Sequence, residues 1–532
     1  MSAKLGSIWA GVSNWMDGSL FFRALVWVFD FVKRLCGGSF IAGFFVGDDA
    51  HQEQKLKGSI FAKAADKLLN GLPKPFVSPE EWPRWLSNLC RGSFAINTVA
   101  DGADVPIPQP GANAGFNSLL QWALFALPSL GLLMVVFAAP LLPTMALAGA
   151  LVIVLVFALL SRRFVVDNQA VFLLVFIGLN IFIGFISLTP GSSIRVAALI
   201  SVFMSSLLLV VACCKTRRSV DFMFFAFLMG AACTGVWGFY QWVAGYGSGI
   251  WLDQELFAGQ SRVSSTFGNP NVFGTYLLLA IPLAGACVIY AKKPFYKLCA
   301  MGITGLLVVN LLLTLSRGCY LSLALAAGVF VLIIEKRLIV AFIPALLALP
   351  FVLPATVVAR LVSIVNLQDT STEFRLFIWQ GSLRILGDFW MIGLGQGIEA
   401  YNVVYPYYAF AAIVSPHTHN LFMQVFVELG IVGLVVFIGV LACFFRVMAN
   451  FLRRSTNFGD KVIAAAMVAA VIGFLFQGIF DYVFYNYRVQ LVFYIFLGLG
   501  IAFAISRGQA RDNADETNLL DPRPNFTEGD VS

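Results

Sequence analysis

Residues 195–218 read RVAALISVFMSSLLLVVACCKTRR. Arg195 opens the stretch, nineteen uncharged residues follow, and Lys215, Arg217 and Arg218 close it. A helix of about 20 apolar residues matches the roughly 30 Å of a bilayer's hydrocarbon. A cluster of basic residues at one end also gives such a segment an orientation, because cytoplasmic connections carry the excess of Lys and Arg. The stretch therefore predicts a membrane-spanning helix whose C-terminal end faces the cytoplasm.

The same unit repeats on both sides of it. Apolar runs near 118–138, 142–160, 170–188, 195–214, 221–244, 271–290, 298–315, 319–334, 338–358, 419–445, 461–480 and 489–506 predict about twelve spans. Alternate connections hold Arg162 and Arg163, then Lys215, Arg217 and Arg218, then Lys292, Lys293 and Lys297. The same side continues with Lys336 and Arg337, then Arg446, Arg453 and Arg454, then Arg507 and Arg511. The other side holds mainly single residues, Arg195, Arg262, Arg317 and Arg488, beside those of one long loop. The expected protein is all-α and polytopic, with both termini in the cytoplasm.

Composition agrees. Of the 532 residues 59% are hydrophobic and only 12% charged, against about a quarter charged in soluble domains. That excludes an ordinary cytosolic enzyme, and 51 Phe, 11 Trp and 14 Tyr exclude a solvated coil. The net charge of +7 follows from topology, and no basic stripe interleaves with aromatics, so no nucleic-acid partner is expected. The nine cysteines fall mostly inside apolar runs without a CxxC pair, which speaks against a disulfide framework. The first long charge-free run begins near residue 118, and no signal peptide is expected ahead of it.

Three regions follow. Residues 1–115 form a Trp- and Phe-rich head. Its stretch Leu20 to Val46 carries Arg23, Asp30, Lys33 and Arg34. At roughly 2.5–3.5 kcal/mol each these charges do not cross a bilayer, so an amphipathic helix in the membrane interface is expected. Pro73 to Pro83 and Pro106 to Pro110 mark loops. Residues 116–507 form the transmembrane domain. It includes an outer loop, 359–418, long enough to be functional, with an interfacial helix expected around Arg375 to Leu383. Residues 508–532 are polar and expected to be a disordered cytoplasmic tail, in which the acceptor pattern Asn525-Phe526-Thr527 is a chance match.

Candidate chemistry gathers on the outer side. The only histidines are His51, in the head among acidic neighbours, and His417 and His419, where the tenth span begins. A histidine there can take a proton near neutral pH. No third His or Cys lies nearby and the outer carboxylates, Asp481 among them, do not cluster in sequence, so no metal site is expected. Asn269-Pro270 reads as a helix cap with proline in the first turn. Arg262 just before it and Arg317 in Leu315-Ser316-Arg317-Gly318 break the outer side's scarcity of positive charge. Such arginines can snorkel to headgroups, but their forks also match phosphate oxygens. Two arginines facing one histidine at an outer membrane boundary suit a lipid-linked diphosphate.

The run Arg262…Thr266-Phe267-Gly268-Asn269-Pro270-Asn271, then Leu313-Thr314-Leu315-Ser316-Arg317-Gly318, resembles the O-antigen ligase/polymerase superfamily. So do Arg375…Trp379, Gly393-Leu394-Gly395-Gln396-Gly397, and His419-Asn420 followed after nine residues by Gly430 and Gly433. The likeness covers roughly residues 195–500; the head and the Leu434-Val435 pair depart from it. It implies a membrane glycosyltransferase of GT-C type without cofactor or metal. Such an enzyme moves a glycan from an undecaprenyl diphosphate carrier to an acceptor hydroxyl on a lipid or glycan, at the outer face of the cytoplasmic membrane. It also implies His419 as the catalytic histidine and Arg262 and Arg317 as essential arginines; their chemistry places His419 as base and the arginines at the diphosphate, with Arg375 and His417 as further substrate-binding candidates. With one base and no paired carboxylates, inverting single displacement is expected. A polymerase joining lipid-linked repeat units would use the same residues. A transporter would need ionisable residues near mid-bilayer; the span centres are nearly charge-free, with Gln241 and Gln477 as polar exceptions. A non-catalytic scaffold using the head is a further alternative.

Overall fold

The computed structural model describes residues 59–71, 80–111, 116–161, 164, 167–246, 261–363, 370–410 and 413–520. The chain divides into two units, residues 1–63 and 64–532. Of the first, only 59–63 are described, where α1 (Ile60–Asn70) begins. The interfacial helix expected at Leu20 to Val46 and the residue His51 lie outside the described residues.

In the second unit the proline-rich stretches form more than loops. β1 (Glu81–Pro83) pairs in parallel with β2 (Gln109–Gly111), Trp82 opposite Pro110, around α2 (Arg84–Gly92) and α3 (Phe94–Gly102). Proline is tolerated because each strand is an edge. Ser87 Oγ donates to Pro108 O at 2.8 Å, and the buried Trp82 ring meets Trp122 edge-on at 4.9 Å.

The chain then runs through α4 (Phe116–Ala138), α5 (Thr144–Ser161), α6 (Asn168–Ile186), α7 (Pro190–Cys213) and α8 (Arg217–Val243). It continues with α9 (Pro270–Tyr290), α10 (Pro294–Leu313), α11 (Arg317–Ile334), α12 (Ile339–Ala348) and α13 (Ala355–Val362). α14 (Thr370–Phe389) and α15 (Ile398–Tyr408) lie in the long loop, before α16 (Leu421–Arg454), α17 (Phe458–Phe480) and α18 (Tyr487–Leu520). The fold is all-α and polytopic: among the described residues eleven helices are long and apolar enough to cross a membrane.

The ninth expected span, 338–358, is broken. Residues 336–351 and 355–362 form two pieces bent by 115°, with Pro354 at the break, where the missing N–H interrupts the helical ladder. The pair starts beside the end of α11 and returns to its beginning: Arg360 Nε donates to Leu315 O at 3.3 Å and Arg317 Nη1 to Ser363 O at 3.0 Å. The 18 residues of α11 separate its ends by about 27 Å. The bent pair traverses that distance, making a twelfth crossing.

Helix starts follow the local chemistry. Thr216 and Ser219 form a capping box on α8. Asn269 accepts from Asn271 N and Val272 N, with Pro270 in the first turn. α9, α17 and α18 are the most buried spans, and small residues let them approach. A Cβ on Gly473 of α17 would sit 3.0 Å from Ser322 O of α11, and one on Gly498 of α18 would sit 2.9 Å from Leu207 O of α7.

The two ends of the bundle differ in charge. At one, Arg507 pairs with Asp221 at 2.6 Å, Arg217 with Asp460 at 3.6 Å, and Arg218 with Asp101 of α3 at 2.5 Å. The other end gathers the loops that hold Arg262, Arg317 and His419. α18 stays helical to Leu520, so helix occupies 508–520, where the sequence predicted a disordered tail.

Candidate functional site

Four loops meet at this second end, and a chain of polar side chains ties them together. The segment before α9 carries Arg262. Its Nε donates to Thr314 O and its Nη2 to Asn271 Oδ1, both at 2.8 Å. Asn271 Nδ2 donates to Asp481 Oδ2 at 3.1 Å. Asp481, the residue after α17, accepts from Tyr482 N at 3.0 Å on Oδ1, and the same oxygen lies 3.2 Å from His419 Nδ1. Arg262, Asn271, Asp481 and His419 thus form one continuous line. The Asn271 amide has one orientation that serves it, oxygen toward the guanidinium and nitrogen toward the carboxylate.

The electrostatics follow. Asp481 is buried, which opposes its charge, yet the hydrogen bond and charge of His419, with Arg375 and His417 beyond, hold its carboxyl well below the usual range. An ionised Asp481 fixes the proton of His419 on Nδ1 and leaves Nε2 as the basic nitrogen. Arg262 is lowered to about 10, by burial first and also by Arg317; it stays charged at neutral pH.

The structure brings the sequence-selected residues to one place with different surroundings. His419 is a quarter exposed. His417 is buried at 5% exposure, its ring stacked on Tyr485 (5.0 Å) and edge-on to Tyr482 (5.5 Å). His417 Nδ1 accepts from His419 N at 3.3 Å. Burial lowers it to about 4, so it is a neutral prop beneath His419. Arg317 opens α11 and donates to Ser363 O and Oγ. Arg375 on α14 acts electrostatically on Asp481.

The two polar exceptions in the spans serve packing. Gln241 at the end of α8 exchanges bonds with Ser265 N (2.8 Å) and Ser265 O (3.1 Å). Gln477 lies against Gly318, where a Cβ would run into its amide oxygen.

Backbone strain concentrates here. Among the described residues four non-glycines have positive φ, and three of them, Ser265 (50°), Leu315 (51°) and His419 (50°), belong to these loops. Such residues cost about 1–3 kcal/mol each and cluster at functional sites.

The glycine run has a definite task. α16 breaks at Gly430 (φ 65°, ψ −173°), which strips the carbonyls of Val427 and Glu428 of their helical partners. Leu394 N donates to Val427 O (2.9 Å) and Gly395 N to Glu428 O (3.0 Å), while Ile431 N reaches back to Trp390 O (2.8 Å). On its other edge the strip is held by Ser187 Oγ to Leu394 O and Ser193 Oγ to Gln396 O, both 2.9 Å. A Cβ on Gly393 would lie 2.6 Å from Glu428 O, and Gly430 and Gly395 are equally crowded.

Sequence reasoning passes over Asp481, Asn271, Arg360 and Glu428. Asn271 has a sufficient reading beside a helix cap, and Asp481 is 62 residues from its histidine. Arg360, buried at 8% exposure, reads as a loop residue and sits instead at the end of the broken span beside Leu315. Glu428 lies inside a span whose centre reads as charge-free. Among the described residues no three His, Cys, Asp or Glu side chains group as metal ligands would.

Fold and site together define a multi-pass membrane protein with a histidine–carboxylate pair and arginines at one end of its helices. The family model described as O-antigen ligase matches residues 302–438, and over that stretch the chain is similar to that family. The matched stretch carries Arg317, Arg375, the glycine strip, His417 and His419; Arg262 and Asp481 lie outside it. No curated protein matches the chain.

Proposed function

We propose that this protein transfers a glycan from an undecaprenyl diphosphate carrier to an acceptor hydroxyl at the outer face of the cytoplasmic membrane. The observation that carries the reading is the line Arg262–Asn271–Asp481–His419. It couples a base to a phosphate-matching cation through an ionised carboxylate. The orientation rests on charge. The opposite end of the helices collects Lys215, Arg217, Arg218 and Arg507, and such an end belongs in the cytoplasm.

In the reaction the acceptor oxygen attacks the anomeric carbon as the bond to the diphosphate oxygen breaks. The electron pair leaves with the diphosphate and the hydroxyl proton passes to His419 Nε2. General-base help of this kind is worth about 10²–10⁴-fold. Asp481 stabilises the imidazolium as it forms, and the forks of Arg262 and Arg317 meet the charge that builds on the leaving group. A single displacement inverts the anomeric centre. The base–carboxylate pair supplies the whole proton transfer without a metal.

The test is transfer by the purified protein from an undecaprenyl-diphosphate glycan to candidate acceptors. His419→Ala and Arg317→Ala are each expected to abolish product while inserting normally, and wild-type-like product from either refutes the assignment. Transfer should persist with a chelator; a strict metal requirement contradicts the mechanism. One product of donor length marks block transfer to an acceptor, whereas a ladder marks polymerisation of repeat units.

A further inference from the structure

Glu428 lies about two turns into α16 and is 4% exposed. Among the described residues it takes part in no ion pair. Its Oε1 accepts from Gln424 Nε2 at 2.9 Å and from Gly397 N at 3.3 Å. Gln424, fully buried, turns its own Oε1 to Thr418 N at 2.8 Å. Thr418 O accepts from Trp379 Nε1 at 3.0 Å, and on the far side of His419 the Asn420 side chain caps Met423 N at 2.9 Å. The left-handed backbone of His419 is thus clamped on both sides. A conformation of this cost persists only where its surroundings over-determine it.

Behind Glu428 lies a cavity of about 20 Å³ between α6, α7, α16 and α18, also lined by Asn180, Gln396, Tyr482, Gln490 and Tyr494. Gln396 Oε1 and Gln490 Oε1 are buried there without a hydrogen-bond partner. Two acceptors of the cavity wall thus lack a donor, and the space suits one water. A third acceptor in the form of a bare carboxylate would worsen the mismatch, whereas a carboxyl proton supplies a donor.

We infer that Glu428 is a positioning residue for His419, acting as a neutral carboxyl through Gln424 and Thr418. It joins the glycine strip, the break in α16 and the histidine turn into one rigid unit. Its catalytic consequence rests on the function proposed above; its structural consequence does not.

The experiment compares E428Q, E428A and Q424A in the full-length protein with two readouts. One is kcat and donor KM for glycan transfer. The other is the rate at which diethyl pyrocarbonate modifies His419, followed by mass spectrometry. Glutamine keeps an acceptor for Gln424 and Gly397 and, like a protonated carboxyl, offers a donor to the cavity. E428Q should stay within about threefold of wild type on both readouts. In E428A and Q424A the histidine turn loosens. A misplacement of about 1 Å costs about 10²-fold in rate, so kcat should fall by that order with donor KM little changed, and His419 should label several-fold faster. Wild-type labelling and kcat in E428A overturn the positioning role, and E428Q as damaged as E428A overturns the neutral form. Should E428A fail to fold, Q424A decides, because it cuts the link to Thr418 and leaves Glu428 in place. If the wild-type protein transfers no glycan, the function falls while the labelling rates still judge the inference.

Discussion

Replacing Asp481 by asparagine keeps the side chain's shape and removes its charge. Three donors converge on the native carboxylate, from His419 and Tyr482 on one oxygen and from Asn271 on the other. An amide has a single oxygen to offer them. If its NH₂ faces Asn271, two donors oppose each other. If it faces His419, the imidazole must accept on Nδ1 and carry its proton on Nε2, where it is no longer a base. A hydrogen bond to a charged group is worth about 1.5–3 kcal/mol, which converts to about 10–10² in rate. An inverted tautomer brings the loss toward about 10⁴, the cost seen when the orienting carboxylate of a catalytic histidine becomes an amide. D481N should therefore lose between about 10- and 10⁴-fold in kcat, with donor KM nearly unchanged, because the arginines remain. The assay is glycan transfer by purified variant in detergent, with size-exclusion elution confirming the fold. A kcat within threefold of wild type would refute the base–carboxylate pairing.

Arg262→Lys should lose at least about tenfold in activity, since a point charge cannot bond Thr314 O and Asn271 together; steady-state kinetics check this. Gly430→Ala should cost at least about 2 kcal/mol, from its positive φ and from a Cβ that would run into Met391 O. A fall in the thermal midpoint measures it. His417 protonates near pH 4 folded but near 6.5 when solvated. Its contribution to stability is complete above about 6.5, is lost as pH falls through that window and is flat below it, a loss of about 3 kcal/mol. Thermal midpoints between pH 7 and 4 should show that slope, and His417→Gln should flatten it.

The spans and their alternation were legible because a charge-free run of helical length, closed by basic residues, fits a bilayer and little else. The cap at Asn269 was legible because a cap is a local pattern. The broken span was not. Residues 338–358 have the hydropathy of an ordinary span, and the turn at Pro354 depends on Arg360 and Ser363 docking near Arg317. His419, Arg262 and Arg317 could be singled out because each is a charge or base against an apolar background. Asp481 could not, since its histidine lies 62 residues away, nor could Glu428, whose link to His419 runs through Gln424 and Thr418 in the folded chain. The strands at Glu81 and Gln109 were hidden by prolines that usually mark loops.

The break at Gly430 also constrains how the chain reaches its final state. Until residues 390–395 dock, the carbonyls of Val427 and Glu428 are bare, and bare carbonyls in lipid cost several kcal/mol each. The strip that covers them is synthesised about thirty residues earlier, on the segment leading into the same helix. During insertion, docking of that segment must therefore come before burial of α16 in lipid. Damage to the strip should appear as rapid turnover by membrane quality control, and only secondarily as a slow enzyme.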